Sequence, residues 1–194
     1  FEQAARIYKG LLKSDPQNVE LLSSLGNLYV KSGDDEKALT YFNEIIRIDS
    51  KNVEALNSLG GIYRRLKKYD DSISVLERAV IADESNVQSF YNLGFTFKLM
   101  GKYDDALNCF NRVVEENPED VLAFNHIGSI YALTDIEKKL AVMGYKREFT
   151  VEAPGQFAVR GGILDIFPQN ALNPYRIEFF DEEIDTIRLF DADS

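Results

Sequence analysis

A 34-residue period constrains this chain more than any other feature. Leu25-Gly26, Leu59-Gly60 and Leu93-Gly94 recur at that interval, and Ile127-Gly128 follows one period later. Asn18-Val19, Asn52-Val53, Asn86-Val87 and Asp120-Val121 keep the same spacing. A fixed period of this length specifies a stack of like units, because one unit cannot bury its apolar face alone. Residues 1–18 form a partial unit. Three full units follow over residues 19–52, 53–86 and 87–120, then a half unit over 121–133.

Within a unit the spacing predicts two helices. The first starts after Asn or Asp, whose side chain accepts from an orphan N–H of the first turn. Gly26, Gly60 and Gly94 fall mid-helix, where glycine is unfavourable, so close approach of the partner helix is expected. Gly33 and Gly101 end first helices as left-handed caps. The acids Asp34-Asp35-Glu36, Asp70-Asp71 and Asp104-Asp105 open second helices, where they complement the helix dipole. A metal site is the rival explanation for these acids, and the dipole accounts for them without one.

In the third unit Phe90, Leu93-Gly94, Phe97, Ala106, Phe110 and Pro118 match the pattern of the tetratricopeptide repeat, and the family resemblance covers about residues 1–133. It implies a right-handed α-solenoid of helix pairs with a concave binding face, and it implies no chemistry. Ala4, Tyr8, Leu11 and Pro16 fall on the second half of a repeat whose first half is missing, which reads as a fragment. By resemblance the concave groove would present Asn27, Asn57, Arg64, Arg65, Tyr91, Phe95, Lys98 and Leu99. Tyr91, Phe95 and Leu99 would anchor an apolar side chain, with Arg64, Arg65 and Lys98 holding a carboxylate. The alternative is that this stripe only packs on neighbouring helices. The groove's ligand, an unknown protein or peptide, is not identified. The family's clamp for a C-terminal carboxylate lacks its lysine and second asparagine here, where Ser23 and Ser58 stand.

Several functions are disfavoured. The net charge of −10 leaves no basic stripe for DNA or RNA, so direct nucleic-acid binding is not expected. Cys109 is the single cysteine, which excludes an internal disulfide and suits a reducing, cytoplasmic setting. It reads as a small buried hydrophobe. His126 is the single histidine, too little for a metal site or a triad. Gly101-Lys102-Tyr103 lacks the rest of a phosphate loop. No run of 18 apolar residues predicts a membrane span. No catalytic residue, metal ligand or cofactor motif emerges.

The repeat pattern stops after Leu133. Thr134-Asp135-Ile136-Glu137 has the form of a capping box and predicts a new short helix, about 135–143, closed by Gly144. From Phe149 the period becomes alternating. Strands are predicted over 149–152, 156–160, 163–167, 175–180 and 184–190, with turns at Gly161-Gly162 and Asp181-Glu182-Glu183. Alternation sets Arg176, Glu178 and Phe180 on one side of their strand, and Arg160 alternates with Phe157 and Val159.

The stretches PGQFAVRGGILDIFP and PYRIEFFDEEIDTIRLFD resemble the UvrB-homologous, UvrA-binding domain of the Mfd transcription-repair coupling factors, from about Asp135 to Ser194. Carried over by that resemblance, Arg160, Arg176 and Phe180 would contact a UvrA-like partner. The alternative has both arginines bridging internally, for example to Glu178 or Asp165. The helicase and polymerase-binding modules of that family have no counterpart, so ATP hydrolysis and translocation are not implied.

The fold expected is therefore α+β and multidomain. Repeats over 1–133 precede an antiparallel β-rich module with one short helix over 134–194. The expected function is non-enzymatic protein–protein interaction in nucleotide excision repair. Three alternatives remain: a repeat scaffold merely capped by the β segment, a fragment of a larger repair ATPase, and an engineered join at the abrupt seam.

Overall fold

The computed structural model describes residues 2–160, 163–169, 171–180 and 183–189; the side chains of residues 160, 179, 180 and 183–185 lie outside that description. The chain forms two compact units, Phe1–Thr96 and Phe97–Ser194.

The first unit is helical. It holds α1 (Glu2–Leu12), α2 (Val19–Ser32), α3 (Asp35–Ile48), α4 (Val53–Arg65) and α5 (Tyr69–Ala82), together with most of α6 (Val87–Leu99). The expected caps form. Asn18 accepts from the Leu21 N–H and Asn52 from the Ala55 N–H, each at 3.0 Å, and Asn86 accepts from the Ser89 N–H at 2.9 Å. Gly33 ends α2 in the left-handed region at φ 77°. Lys67, one period on, adopts φ 57°.

The glycine expectation is met where the geometry is described. A Cβ on Gly26 would stand 2.7 Å from the Phe42 ring, and one on Gly60 would stand 2.5 Å from Leu76. Each first helix thus nests against the large apolar residue sixteen positions later. The core between α2, α3 and α4 is built from Leu22, Ala38, Phe42, Ile45, Ala55, Leu59 and Ile62. Tyr29 stacks on Tyr41 at 5.7 Å beside it.

The second unit contains α7 (Tyr103–Glu116), α8 (Val121–Val142) and a five-stranded sheet. Its strands are β1 (Lys146–Arg147), β2 (Gln156–Arg160), β3 (Ile163–Phe167), β4 (Tyr175–Phe180) and β5 (Glu183–Leu189), ordered as in sequence. Strands β2 to β5 pair antiparallel, whereas β1 runs parallel to β2. The sheet is therefore mixed, which corrects the antiparallel expectation.

Two further corrections follow. No separate short helix begins at Asp135: α8 runs without a break from Val121 to Val142, capped by Asp120. Thr134 does not cap. Its hydroxyl donates back to the Ile130 carbonyl at 2.8 Å, inside the helix. A cap stabilises by about 1 kcal/mol. Continuing the helix lets Leu133, Ile136 and Leu140 pack on Phe157, Val159 and Leu164 of the sheet. Burying such side chains contributes roughly 1.5–3 kcal/mol each, so the longer helix wins. The helix does end as expected, with Gly144 at φ 85°.

The second correction concerns residues 149–152, which form no strand. Phe149 is exposed, and Val151 instead packs over Ala158 and Phe167 on the opposite face of the sheet. The edge pairing falls to Lys146–Arg147, held by the Lys146 N–H to the Gly155 carbonyl and the Glu148 N–H to the Phe157 carbonyl, both 2.8 Å. Neither residue of that edge strand is buried, so no apolar alternation marks it in the sequence.

Candidate functional site

Two surfaces carry the residues singled out in the sequence. The first is the stripe of first helices. Asn27 is exposed on α2. Asn57 is bound at both ends: its amide donates to Ser89 Oγ at 2.8 Å, and it accepts from Asn92 Nδ2 at 3.1 Å. The Arg64 guanidinium donates to the Asn92 carbonyl at 3.2 Å and lies 5.0 Å from the Phe95 ring centroid. Burial pulls its pKa down, and the neighbouring Arg65 charge adds to that. Arg65 pairs with Asp35, one contact being Nε to Oδ2 at 3.3 Å. Tyr91 and Leu99 are half-buried.

Lys98, in the second unit, is buried. Its Nζ stands 2.5 Å from Ser129 Oγ and 3.2 Å from His126 Nδ1. His126 stacks on Phe110 at 4.9 Å, and Cys109 is buried as expected. The three cations expected to hold a carboxylate thus each have partners within the chain. Arg64 and Phe95 are two expected groove residues that the fold brings together.

The repeat register also hid a polar network. Ser72 occupies the position that is alanine at Ala38 and Ala106. Its hydroxyl donates to the Gly60 carbonyl at 2.8 Å and lies 3.3 Å from Thr96 Oγ1. A serine at an alanine position of the repeat was the available signal.

The second surface is one face of the sheet. Register pairs Ala158 with Asp165, Asp165 with Arg176, and Arg176 with Arg188 across β2 to β5. Alternation therefore leaves Asp165, Arg176, Glu178 and Arg188 on the face opposite the helix-covered core. Arg176 donates two bonds to Asp165, Nε to Oδ1 at 2.7 Å and Nη2 to Oδ2 at 2.8 Å. Arg188 pairs with Glu178 beside it. The internal bridge to Asp165 considered for Arg176 is thus present. Backbone register pairs Arg160 with Ile163 and Ile163 with Glu178, while the side chains of Arg160 and Phe180 lie outside the described residues, as do the Gly161-Gly162 and Asp181-Glu182 turn residues.

A third cluster escaped the sequence. Arg147 Nη1 pairs with Glu137 Oε2 at 3.0 Å, joining β1 to α8. Glu137 Oε1 and the Tyr103 hydroxyl are buried with no hydrogen-bond partner among the described residues. Burial first, then the Glu137 charge, pushes the Tyr103 pKa up to about 12. Burial also raises Glu137, against the pull of Arg147.

Comparison with known families accounts for both units. Tetratricopeptide repeat models match residues 1–61, 55–88 and 87–120, and the UvrB interaction domain model matches residues 125–194. The chain joins tetratricopeptide repeats to a UvrB interaction domain. That second match begins inside α8, within the stretch read from sequence as the half repeat.

The transcription-repair-coupling factor of Bacillus subtilis (strain 168) is 50% identical over 58 residues, which are 30% of this chain and 5% of that protein. The UvrB interaction segment thus corresponds to a small part of its curated relatives' length. Among solved structures, MamA superposes with a TM-score of 0.64 at 28% identity, covering 72% of this chain and 81% of that one. YrrB, described as a TPR protein with an unusual peptide-binding site, superposes at 0.60 with 26% identity, covering 71% of each chain. Both matched domain types are interaction modules.

Proposed function

We propose that the chain is a non-enzymatic adaptor. Its UvrB interaction domain docks a UvrA-like repair protein, and its tetratricopeptide repeats hold a second protein or peptide. The observation that carries this reading is the 50% identity to a transcription-repair-coupling factor over 58 residues. Arg160, Arg176 and Phe180 form the docking face on this reading. Asp165 fixes the Arg176 guanidinium in orientation, and arginines and aromatic residues dominate interface hot spots. The repeats are proposed to bind peptide because YrrB, 26% identical, is described with a peptide-binding site. The cytoplasm is the compartment that the proposed repair partner implies.

Calorimetry of the 194-residue chain with purified UvrA tests the docking. Wild type should bind, and Phe180→Ala should weaken binding by roughly 2 kcal/mol or more with an unchanged melting temperature. A wild-type chain that does not bind UvrA sinks the adaptor function.

A further inference from the structure

The sheet face proposed to dock a UvrA-like partner carries a guanidinium that no sequence pattern marked. Arg188 of β5 stands opposite Arg176 of β4 in the register. Its neighbours Ile187 and Leu189 pair with Ile177 and Tyr175, so alternation sets Arg188 and Arg176 on the same side of the sheet. Side chains directly opposite on antiparallel strands are about 4.5–5.5 Å apart at Cβ, and like charges placed so repel each other. An acid answers each arginine. Asp165 on β3 takes Arg176, and Glu178, two residues along β4, takes Arg188.

The two pairs are held with different firmness. The Asp165 side chain is 3% exposed and accepts two bonds from Arg176, at 2.7 and 2.8 Å. Withdrawing Arg176 would strand a buried carboxylate, so that pair stays closed. The Arg188 side chain is 59% exposed and that of Glu178 is 31% exposed. Water and salt screen a pair this open, and holding two long side chains together costs them freedom, so it adds little to stability. Opening it therefore costs the fold little. Nor would Glu178 be stranded. Asp165 above all, and Glu178 after it, hold the Arg176 pKa above its ordinary value against the effect of burial, so Glu178 keeps a counter-ion.

We propose that Arg188 is the exchangeable cation of the docking face: on docking it leaves Glu178 and pairs with a carboxylate of the UvrA-like protein, while Arg176 stays on Asp165. The two neighbouring arginines thus divide the work. Arg176 is fixed in direction and contributes geometry. Arg188 changes acids and contributes selectivity for an acidic partner surface. Closing the interface excludes water, so the new pair is electrostatically stronger than the exposed one it replaces. This role rests on the reading of the C-terminal domain as a UvrA-docking module.

Calorimetry of the 194-residue chain with purified UvrA, repeated at several salt concentrations, tests the role. Wild type should bind, with affinity falling as salt rises. Arg188→Gln should weaken binding by at least about tenfold at low salt and flatten the salt dependence. Its melting temperature should match that of wild type, because the pair it removes is exposed. Arg188→Lys keeps the charge and should recover part of the lost affinity. A purely structural Arg188 would instead lower the melting temperature and leave the salt dependence as steep, which overturns the proposal. A wild type that does not bind fails the UvrA reading, and the Arg188 role with it. A wild type that binds, beside an Arg188→Gln chain that binds as tightly with the same salt dependence, overturns the Arg188 role alone.

Discussion

Arg176 grips Asp165 across neighbouring strands with two near-parallel bonds of 2.7 and 2.8 Å, and Asp165 is only 2% exposed. The arginine expected to serve a partner is thereby also the counter-ion of a buried carboxylate. Arg176→Ala would strand that charge, and removing one partner of a buried pair costs about 3–5 kcal/mol. Arg176 itself is partly exposed, so the expected loss falls below that range, at about 2–3 kcal/mol. Urea denaturation measures it, and an unchanged midpoint would show that the bridge does not hold in solution. Lost UvrA binding in this variant alone would therefore say little about contact.

Gly60 and Gly61 are adjacent in α4 and should respond in opposite ways. A Cβ on Gly60 meets Leu76 at 2.5 Å, whereas one on Gly61 meets nothing within 4 Å. Gly60→Ala should destabilise by about 1–3 kcal/mol through overpacking. Gly61→Ala should stabilise by up to about 1 kcal/mol through helix propensity. Thermal unfolding of the two single variants checks the contrast, and equal shifts would defeat the close-approach explanation.

Lys67 occupies the left-handed position that Gly33 and Gly101 hold in the flanking repeats, at φ 57°. A side chain costs about 1–2 kcal/mol there, offset in part by the greater freedom of glycine in the unfolded chain. Lys67→Gly should therefore raise stability by about 0.5–1 kcal/mol. A lower denaturation midpoint would contradict it.

Tyr103 gives a pH-dependent test. Its ordinary pKa of 10.0 is pushed up to about 12 in the folded protein. Between those values the folded state holds a proton that the unfolded state has released, so stability falls as pH rises through that window. Tyr103→Phe should remove that part of the alkaline slope. It should also cost nothing near pH 7, because the hydroxyl is buried without a hydrogen-bond partner. Guanidinium titrations between pH 7 and 12 measure both effects. A Phe variant with an undiminished slope would assign the effect to another group.

The 34-residue period alone determined the helix pairs, their asparagine caps and the nesting of Gly26 and Gly60. The caps depend on contacts three residues apart and the glycine nesting on contacts sixteen apart, and both recur within single units and so are written repeatedly in the sequence. Strands β2 to β4 were legible for a similar reason, since their alternation directly encodes one covered face. Only the tertiary structure decided the rest. Whether Thr134 caps a helix or lies within one depended on the sheet beneath Leu133, Ile136 and Leu140, whose packing outweighs a local cap. Whether Arg176 faces a partner or Asp165 depended on strand register, because β3 and β4 bring together two charges that are eleven residues apart. Arg147 and Glu137 met for the same reason, from a parallel edge strand with no apolar pattern to announce it. Charge pairing is decided by which side chains long-range packing sets within 3 Å of each other, and no periodicity of the chain records that.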